Sequence, residues 1–86
     1  MEPTITDLNK KVTLTKTITV NGVELTEITL EKMILRPVMK RIVFLTKELN
    51  RVIIYDGETE FEAHKNDSEA DLTTALLAKV DSTYGA

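Results

Sequence analysis

Val12-Thr13-Leu14-Thr15-Lys16-Thr17-Ile18-Thr19-Val20-Asn21-Gly22-Val23-Glu24-Leu25-Thr26-Glu27-Ile28-Thr29-Leu30 is the stretch on which the fold turns. Val12, Leu14, Lys16, Ile18 and Val20 alternate with Thr13, Thr15, Thr17 and Thr19. A two-residue period rich in β-branched side chains fits a half-buried strand, because successive side chains point to opposite faces. Asn21-Gly22 then separates this run from a second alternating one. Asn-Gly suits the tight turn between them, since both central residues of a type I′ turn need positive φ. Val23 and Leu25 share one parity, whereas Ile28 and Leu30 share the other. A β-bulge near Thr26-Glu27 restores the inward face; the alternative is that one strand ends there and another begins.

Outward from this hairpin, Arg51-Val52-Ile53-Ile54-Tyr55 runs into Asp56-Gly57, and Glu58-Thr59-Glu60-Phe61-Glu62-Ala63 runs out, which predicts a second hairpin over 51–64. Its outgoing strand puts Thr59, Phe61 and Ala63 on one face. Glu58, Glu60 and Glu62 form a row on the other, where they face water and discourage edge-to-edge pairing. A C-terminal helix is predicted over 69–81. Ser68 is placed as its N-cap, with Asp71 three residues on, and Asp67, Glu69 and Asp71 suit the positive end of the helix dipole. Leu72, Leu76 and Val80, with Ala75 and Leu77 nearby, form its apolar stripe. Tyr84-Gly85-Ala86 reads as a short exposed tail.

Residues 37–49 fit two templates. As a helix, Pro37 opens the first turn, Val38, Ile42, Leu45 and Leu49 recur at helical spacing, and Asn50 closes it. As a strand, Arg41-Ile42-Val43-Phe44-Leu45-Thr46 is rich in β formers. The helical template accounts better for the polar positions and is the one favoured. It leaves Phe44 on the basic face, whereas the strand puts Phe44 beside Ile42 in the core. Residues 1–11 are polar without a period and read as a flexible arm. The two hairpins resemble each other at an offset of 35 residues, and a helix after each would give the order ββαββα. The fold class is α+β, with one small domain over 12–86.

The composition bounds the possibilities. A chain of 86 residues and 9.7 kDa makes one domain with a small core. Hydrophobic residues at 42% against 29% charged exclude a disordered tail. No apolar run approaches the roughly 18–20 residues of a membrane-spanning helix. Met1-Glu2-Pro3-Thr4-Ile5 shows no basic segment leading into an apolar stretch, so no secretory signal is expected. With no cysteine there is neither a disulfide framework nor a thiolate nucleophile.

Catalysis is poorly supported by the residues present. His64 is the only histidine, and a nucleophile, a base and an orienting group must converge at an active site. Ser68, close to it in sequence, serves better as a helix cap. His64, Asp67, Glu69 and Asp71 are metal-ligand types, but the segment lacks the glycine an EF-hand loop needs, and acids at a helix start have their own electrostatic reason. Gly22, Gly57 and Gly85 are too scattered for a phosphate loop. No catalytic, metal or cofactor site is expected. Nucleic acid is disfavoured by a sequence pI near 5.1.

Charge is the informative feature. Residues 36–51 carry Arg36, Lys40, Arg41, Lys47 and Arg51 against Glu48 alone, whereas residues 52–86 carry eight acids against Lys65 and Lys79. The chain has a basic centre and an acidic C-terminal third. These could be ordinary solvated faces or complementary patches used in assembly. Under the second reading the partner-binding candidates are Arg36, Lys40, Arg41, Phe44, Lys47, Arg51, Glu58, Glu60 and Glu62. A basic face on one copy meeting the acidic face of another is a heterologous contact, which gives rings or open filaments.

Leu14, Lys16, Ile18, Val20, Asn21, Gly22, Leu25, Thr26, Ile28 and Leu30 fit a pattern of Leu-(Ser/Thr)-Lys-x-Ile-x-Val-(Asp/Asn)-Gly followed by spaced aliphatics. In this the stretch 12–30 resembles the opening of the small tail assembly chaperones of Mu-like phages. Beyond Leu30 the family pattern of an acidic, Ala/Leu-rich helix gives way here to a basic segment. The resemblance implies a non-enzymatic phage or prophage protein that acts in tail assembly through protein–protein contacts, in the host cytoplasm or the virion. It implies another tail component, such as the tape-measure protein, as partner, and no catalytic residues; the charged faces add a second copy of the chain as a candidate partner. The alternative is a small host-directed regulator that binds a bacterial protein or nucleic acid.

Overall fold

The computed structural model describes residues 2–85. Four strands, β1 (Thr4–Val20), β2 (Val23–Arg36), β3 (Arg41–Thr46) and β4 (Asn50–Asp56), precede two helices, α1 (Glu58–His64) and α2 (Glu69–Tyr84). The strands form one open antiparallel sheet in the order β1-β2-β3-β4, so each pairs with its neighbour in sequence. The class is mixed α+β, as the sequence implies. The element order is ββββαα, which replaces the expected ββαββα.

The first hairpin forms around Asn21 (φ 52) and Gly22 (φ 80), with Val20 opposite Val23. The irregularity expected near Thr26-Glu27 is there, but the surplus residues lie on the other strand. Between the pairs Ile18↔Leu25 and Thr13↔Glu27, β1 spans Leu14–Thr17 where β2 has Thr26 alone. The arm expected over 1–11 is, from Thr4 onward, the first half of β1. Its pairing runs from Thr4↔Leu35 to Lys11↔Thr29, with a second irregularity at Leu8-Asn9, where Asn9 takes φ 49. Little in this segment is apolar. The long partner β2 supplies its ladder, which is why no period announced it. Met1 lies outside the described residues.

Residues 37–49 are not a helix. A turn over 37–40, with Lys40 at φ 57, leads into β3, the strand alternative. Ile42, Val43 and Phe44 are all buried, Ile42 and Phe44 in the main core and Val43 outside it. Apolar side chains of both parities mimic a helical spacing, so period alone misleads here.

The second hairpin over 51–64 is also corrected. Its first strand forms as β4, but Asp56 stays in the ladder opposite Arg41 and is not among the residues with positive φ. A type I′ turn therefore does not form. Gly57, at φ 107, redirects the chain into α1. Glu58 and Glu60 occupy the first helical turn, where they meet the positive end of the dipole, and Phe61 is the residue α1 buries. Glu58, Glu60 and Glu62 thus form no strand row.

Helix α2 bears out the reading of 69–81 and runs three residues further, to Tyr84. Ser68 Oγ accepts a hydrogen bond from the Asp71 N–H at 3.1 Å, and Leu72, Leu76 and Val80 are the buried stripe. Tyr84, expected in an exposed tail, packs partly buried against the core, and Gly85 donates its N–H to Asp81 O at 2.9 Å. Ala86 lies outside the described residues.

One hydrophobic cluster holds the layers together. It takes Leu14 and Ile18 from β1, Ile28, Leu30 and Met33 from β2, Ile42 and Phe44 from β3, and Val52 and Ile54 from β4. Leu49, Phe61 and the three α2 residues complete it. At about 1.5–3 kcal/mol for each fully buried large side chain, this cluster supplies most of the force that holds α1 and α2 on the sheet.

Candidate functional site

The buried residues of both helices belong to that single cluster, so α1 and α2 cover the same face of the sheet. Among the described residues no helix covers the other face. Strand alternation and register together define what that face carries. Ile5 is opposite Ile34, Ile34 opposite Val43, and Val43 opposite Ile53. These four aliphatics make one row across all four strands, and neither Ile34 nor Val43 belongs to the main cluster.

The row runs from edge to centre with a gradient of cover. Ile34 is 4% and Val43 1% exposed, while Ile5, on the edge strand, is 54% exposed. Charged rows lie on either side. One runs Asp7, Lys32, Leu45, Arg51, and the other Arg36, Arg41, Asp56. The methylene stems of Lys and Arg cover apolar neighbours while their heads stay in water, which suits long basic side chains beside Ile34 and Val43. Four basic groups stand against two acids, so the face is basic.

Its charges are unequally satisfied. Asp7 pairs with Lys32, and Arg41 Nε lies 3.1 Å from Asp56 Oδ1. Arg36 and Arg51 make no ion pair among the described residues. Arg36 is moreover directly opposite Arg41. Like charges at directly opposed positions destabilise an antiparallel pair.

The other residues singled out from sequence scatter. Lys40, in the β2–β3 turn, bonds Glu62 Oε2 at 3.1 Å, and Lys65 bonds Glu62 Oε1 at 2.7 Å. Hydrogen bonds from Lys65 and then Lys40 hold the Glu62 carboxyl below its usual range. Lys40 Nζ also sits 5.4 Å from the Phe61 ring centroid. Part of the complementarity between basic centre and acidic third is therefore met within one chain. Lys47 is exposed in the β3–β4 turn, and Glu58 and Glu60 are exposed on α1. Phe44 is fully buried in the core, so the exposed aromatic expected on a helical basic face is not there.

Two further clusters bear on chemistry. Tyr55 and His64 stack with ring centroids 3.9 Å apart and planes within 1°, and His64 Nδ1 lies 2.7 Å from Asp67 Oδ2. This joins β4, α1 and the linker to α2. A cleft of about 570 Å³ between α1 and the outer ends of β1 and β2 is lined by Leu35, Phe61, Lys40, Glu62 and Lys65 among others. Lys40 and Lys65 there are both engaged by Glu62. No group of three or more His, Cys, Asp or Glu among the described residues converges as a metal ion requires. No helix among the described residues is long and apolar enough to cross a membrane.

Sequence reasoning identified Arg36, Arg41 and Arg51 as binding candidates but missed the aliphatic row. Its members lie at positions 5, 34, 43 and 53, which only strand register brings into line. Comparisons with protein-family models, curated proteins and solved structures find no match to this chain.

Proposed function

We propose that this is a non-enzymatic assembly protein that works through protein–protein contacts, with the helix-free sheet face as its working surface. The observation that carries the reading is the aliphatic row Ile5, Ile34, Val43 and Ile53 set between rows that contain unpaired arginines. Ile34 and Val43 are already buried within the chain, so what a partner meets is the exposed Ile5 end of the row and the arginines around it, which give orientation. The resemblance of residues 12–30 to the tail assembly chaperones of Mu-like phages gives the direction, phage or prophage tail assembly.

The test is co-expression with the products of the adjacent reading frames, followed by affinity purification. Retention of a tail component, lost on Arg36→Glu plus Arg51→Glu while circular dichroism stays native, supports the reading. Failure to retain any of them overturns it. Arg36, Arg41 and Arg51 on one face also favour a second reading, a regulator that binds nucleic acid. Salt-dependent binding of duplex DNA, lost in the same variant, would select it.

A further inference from the structure

The helix layer is the electrostatic opposite of the sheet face. Residues 57–85 carry Glu58, Glu60, Glu62, Asp67, Glu69, Asp71 and Asp81 against Lys65 and Lys79. Several of these acids are already engaged: Glu62 by Lys40 and Lys65, Glu69 by Lys10, Asp67 by His64, and Asp81 by the Thr15 hydroxyl. Glu58, Glu60 and Asp71 are exposed and form no ion pair among the described residues. Among the unpaired charges, Arg36 and Arg51 lie on the sheet face, whereas Glu58, Glu60 and Asp71 on the helix layer outnumber the unpaired Lys79 there.

We infer that the partner seated on the sheet face is the helix layer of a second copy of this chain. The inference rests on the sheet face being the working surface and specifies its occupant. Charge decides the geometry of the contact. Two sheet faces brought together by a two-fold axis would oppose arginines to arginines, and like-charge juxtaposition costs several kcal/mol across an interface. Sheet face on helix layer instead sets Arg36 and Arg51 against Glu58, Glu60 and Asp71.

Size permits it. The body measures 38 × 24 × 21 Å, so a standard stable interface of about 800 Å² per partner would take most of its broadest projection. The contact is heterologous and leaves one sheet face and one helix layer free at the ends. Copies therefore add head to tail until the stack closes into a ring or continues as a filament. The edge strand β1 does not offer a competing route. Its irregularities at Leu8-Asn9 and Leu14–Thr17 and its Lys10, Lys11 and Lys16 blunt strand-to-strand pairing.

Light scattering on size-exclusion eluates, at low and high salt, tests this. The expected result is a mass at least twice 9.7 kDa at low salt that falls toward the monomer at high salt. Arg36→Glu plus Arg51→Glu, and separately Glu58→Lys, Glu60→Lys plus Asp71→Lys, should each run as monomers with native circular dichroism. Mixed one to one, the two variants offer both the native contact and its charge-reversed counterpart, so alternating copies should regain the larger assembly. The five substitutions combined reverse both faces and should regain the larger assembly. Ile5→Glu, which places a charge on the exposed end of the aliphatic row, should also give a monomer and does not depend on the arginines. A wild-type monomer at both salts overturns the inference and leaves the tail-component reading standing, since that is read by co-purification. A two-fold dimer, or a mixture of variants that stays monomeric, also overturns it.

Discussion

Arg36 and Arg41 face each other directly across the β2–β3 pair, and only Arg41 has an acidic neighbour, Asp56. A cross-strand like-charge pair costs ~0.2–1 kcal/mol relative to a neutral one. Arg36→Thr keeps a good strand former and removes the repulsion. We expect it to raise the melting temperature by up to several degrees at low salt, at roughly 4–8 °C per kcal/mol for a domain of this size. The gain should shrink in high salt. Thermal unfolding of the two proteins measures it, and an unchanged or lower melting temperature at low salt would contradict the repulsion.

Glu48 holds β2 to the β3–β4 turn. Its Oε1 accepts from the Thr29 N–H at 2.7 Å and its Oε2 from the Thr29 hydroxyl at 3.0 Å. Partial burial pushes its carboxyl up, but the two bonds from Thr29, its own backbone N–H and the Lys47 charge together outweigh this and leave it lowered. A carboxyl lowered in the folded state contributes stability above its unfolded value, and that contribution fades as pH falls through the folded value. The window lies below 4.5. Glu48→Ala should cost ~1.5–3 kcal/mol at pH 7, as hydrogen bonds to charged groups do. Urea titrations at pH 7 and pH 3 check it; an equal loss at both would count against the carboxylate.

The hairpin turn isolates backbone from packing. A Cβ at Gly22 meets nothing within 4 Å, yet φ there is +80. Gly22→Ala should therefore destabilise by ~1–2 kcal/mol through conformation alone. Chemical denaturation reads the midpoint, and a neutral result would mean that the turn relaxes to another type.

Tyr55 offers an alkaline signature. Burial first, then the charges of Asp67, Glu60 and Asp71, raise its hydroxyl above 10.0. The stability tied to a raised group is present below its unfolded value and is lost as pH rises through the folded one. Absorbance at 295 nm should show a tyrosine that ionises late in the folded protein and that Tyr55→Phe removes. A titration unchanged by Tyr55→Phe would refute the assignment.

What the chain declares in advance depends on whether the signal is local. Asn21-Gly22 and Ser68 with Asp71 act within a few residues, so the first hairpin and α2 were legible. Glu58–Ala63 alternates like a strand. Its one large apolar residue, Phe61, is buried as readily by two helical turns, and acids at a helix start tip the balance. Met33-Ile34-Leu35 and Ile42-Val43-Phe44 are apolar at every position, so period cannot say that Ile34 and Val43 leave the main core. Three basic members of the candidate face could be picked out by charge. Its apolar centre could not, because Ile5 and Ile53 become neighbours only through three successive registers.

Substitutions beneath the helices should act differently from those on the open face. Leu76→Ala removes a fully buried α2 side chain and should cost about 2–5 kcal/mol, a large part of the roughly 5–15 kcal/mol such a domain possesses. Broad or absent unfolding transitions are the expected readout, and a native melting curve would show that α2 contributes little.

Helix α2 returns to the first strand: Lys10 pairs with Glu69, and the Thr15 hydroxyl donates to Asp81. During synthesis the strands emerge from the ribosome before the helix that covers them. The β1–β4 meander closes through short local turns and can form early. Until α2 arrives, the side of the sheet bearing Phe44 and Ile42 stays wet and adhesive. The side of the sheet that becomes the core is thus the last to be covered, and it closes only once α2 has been made.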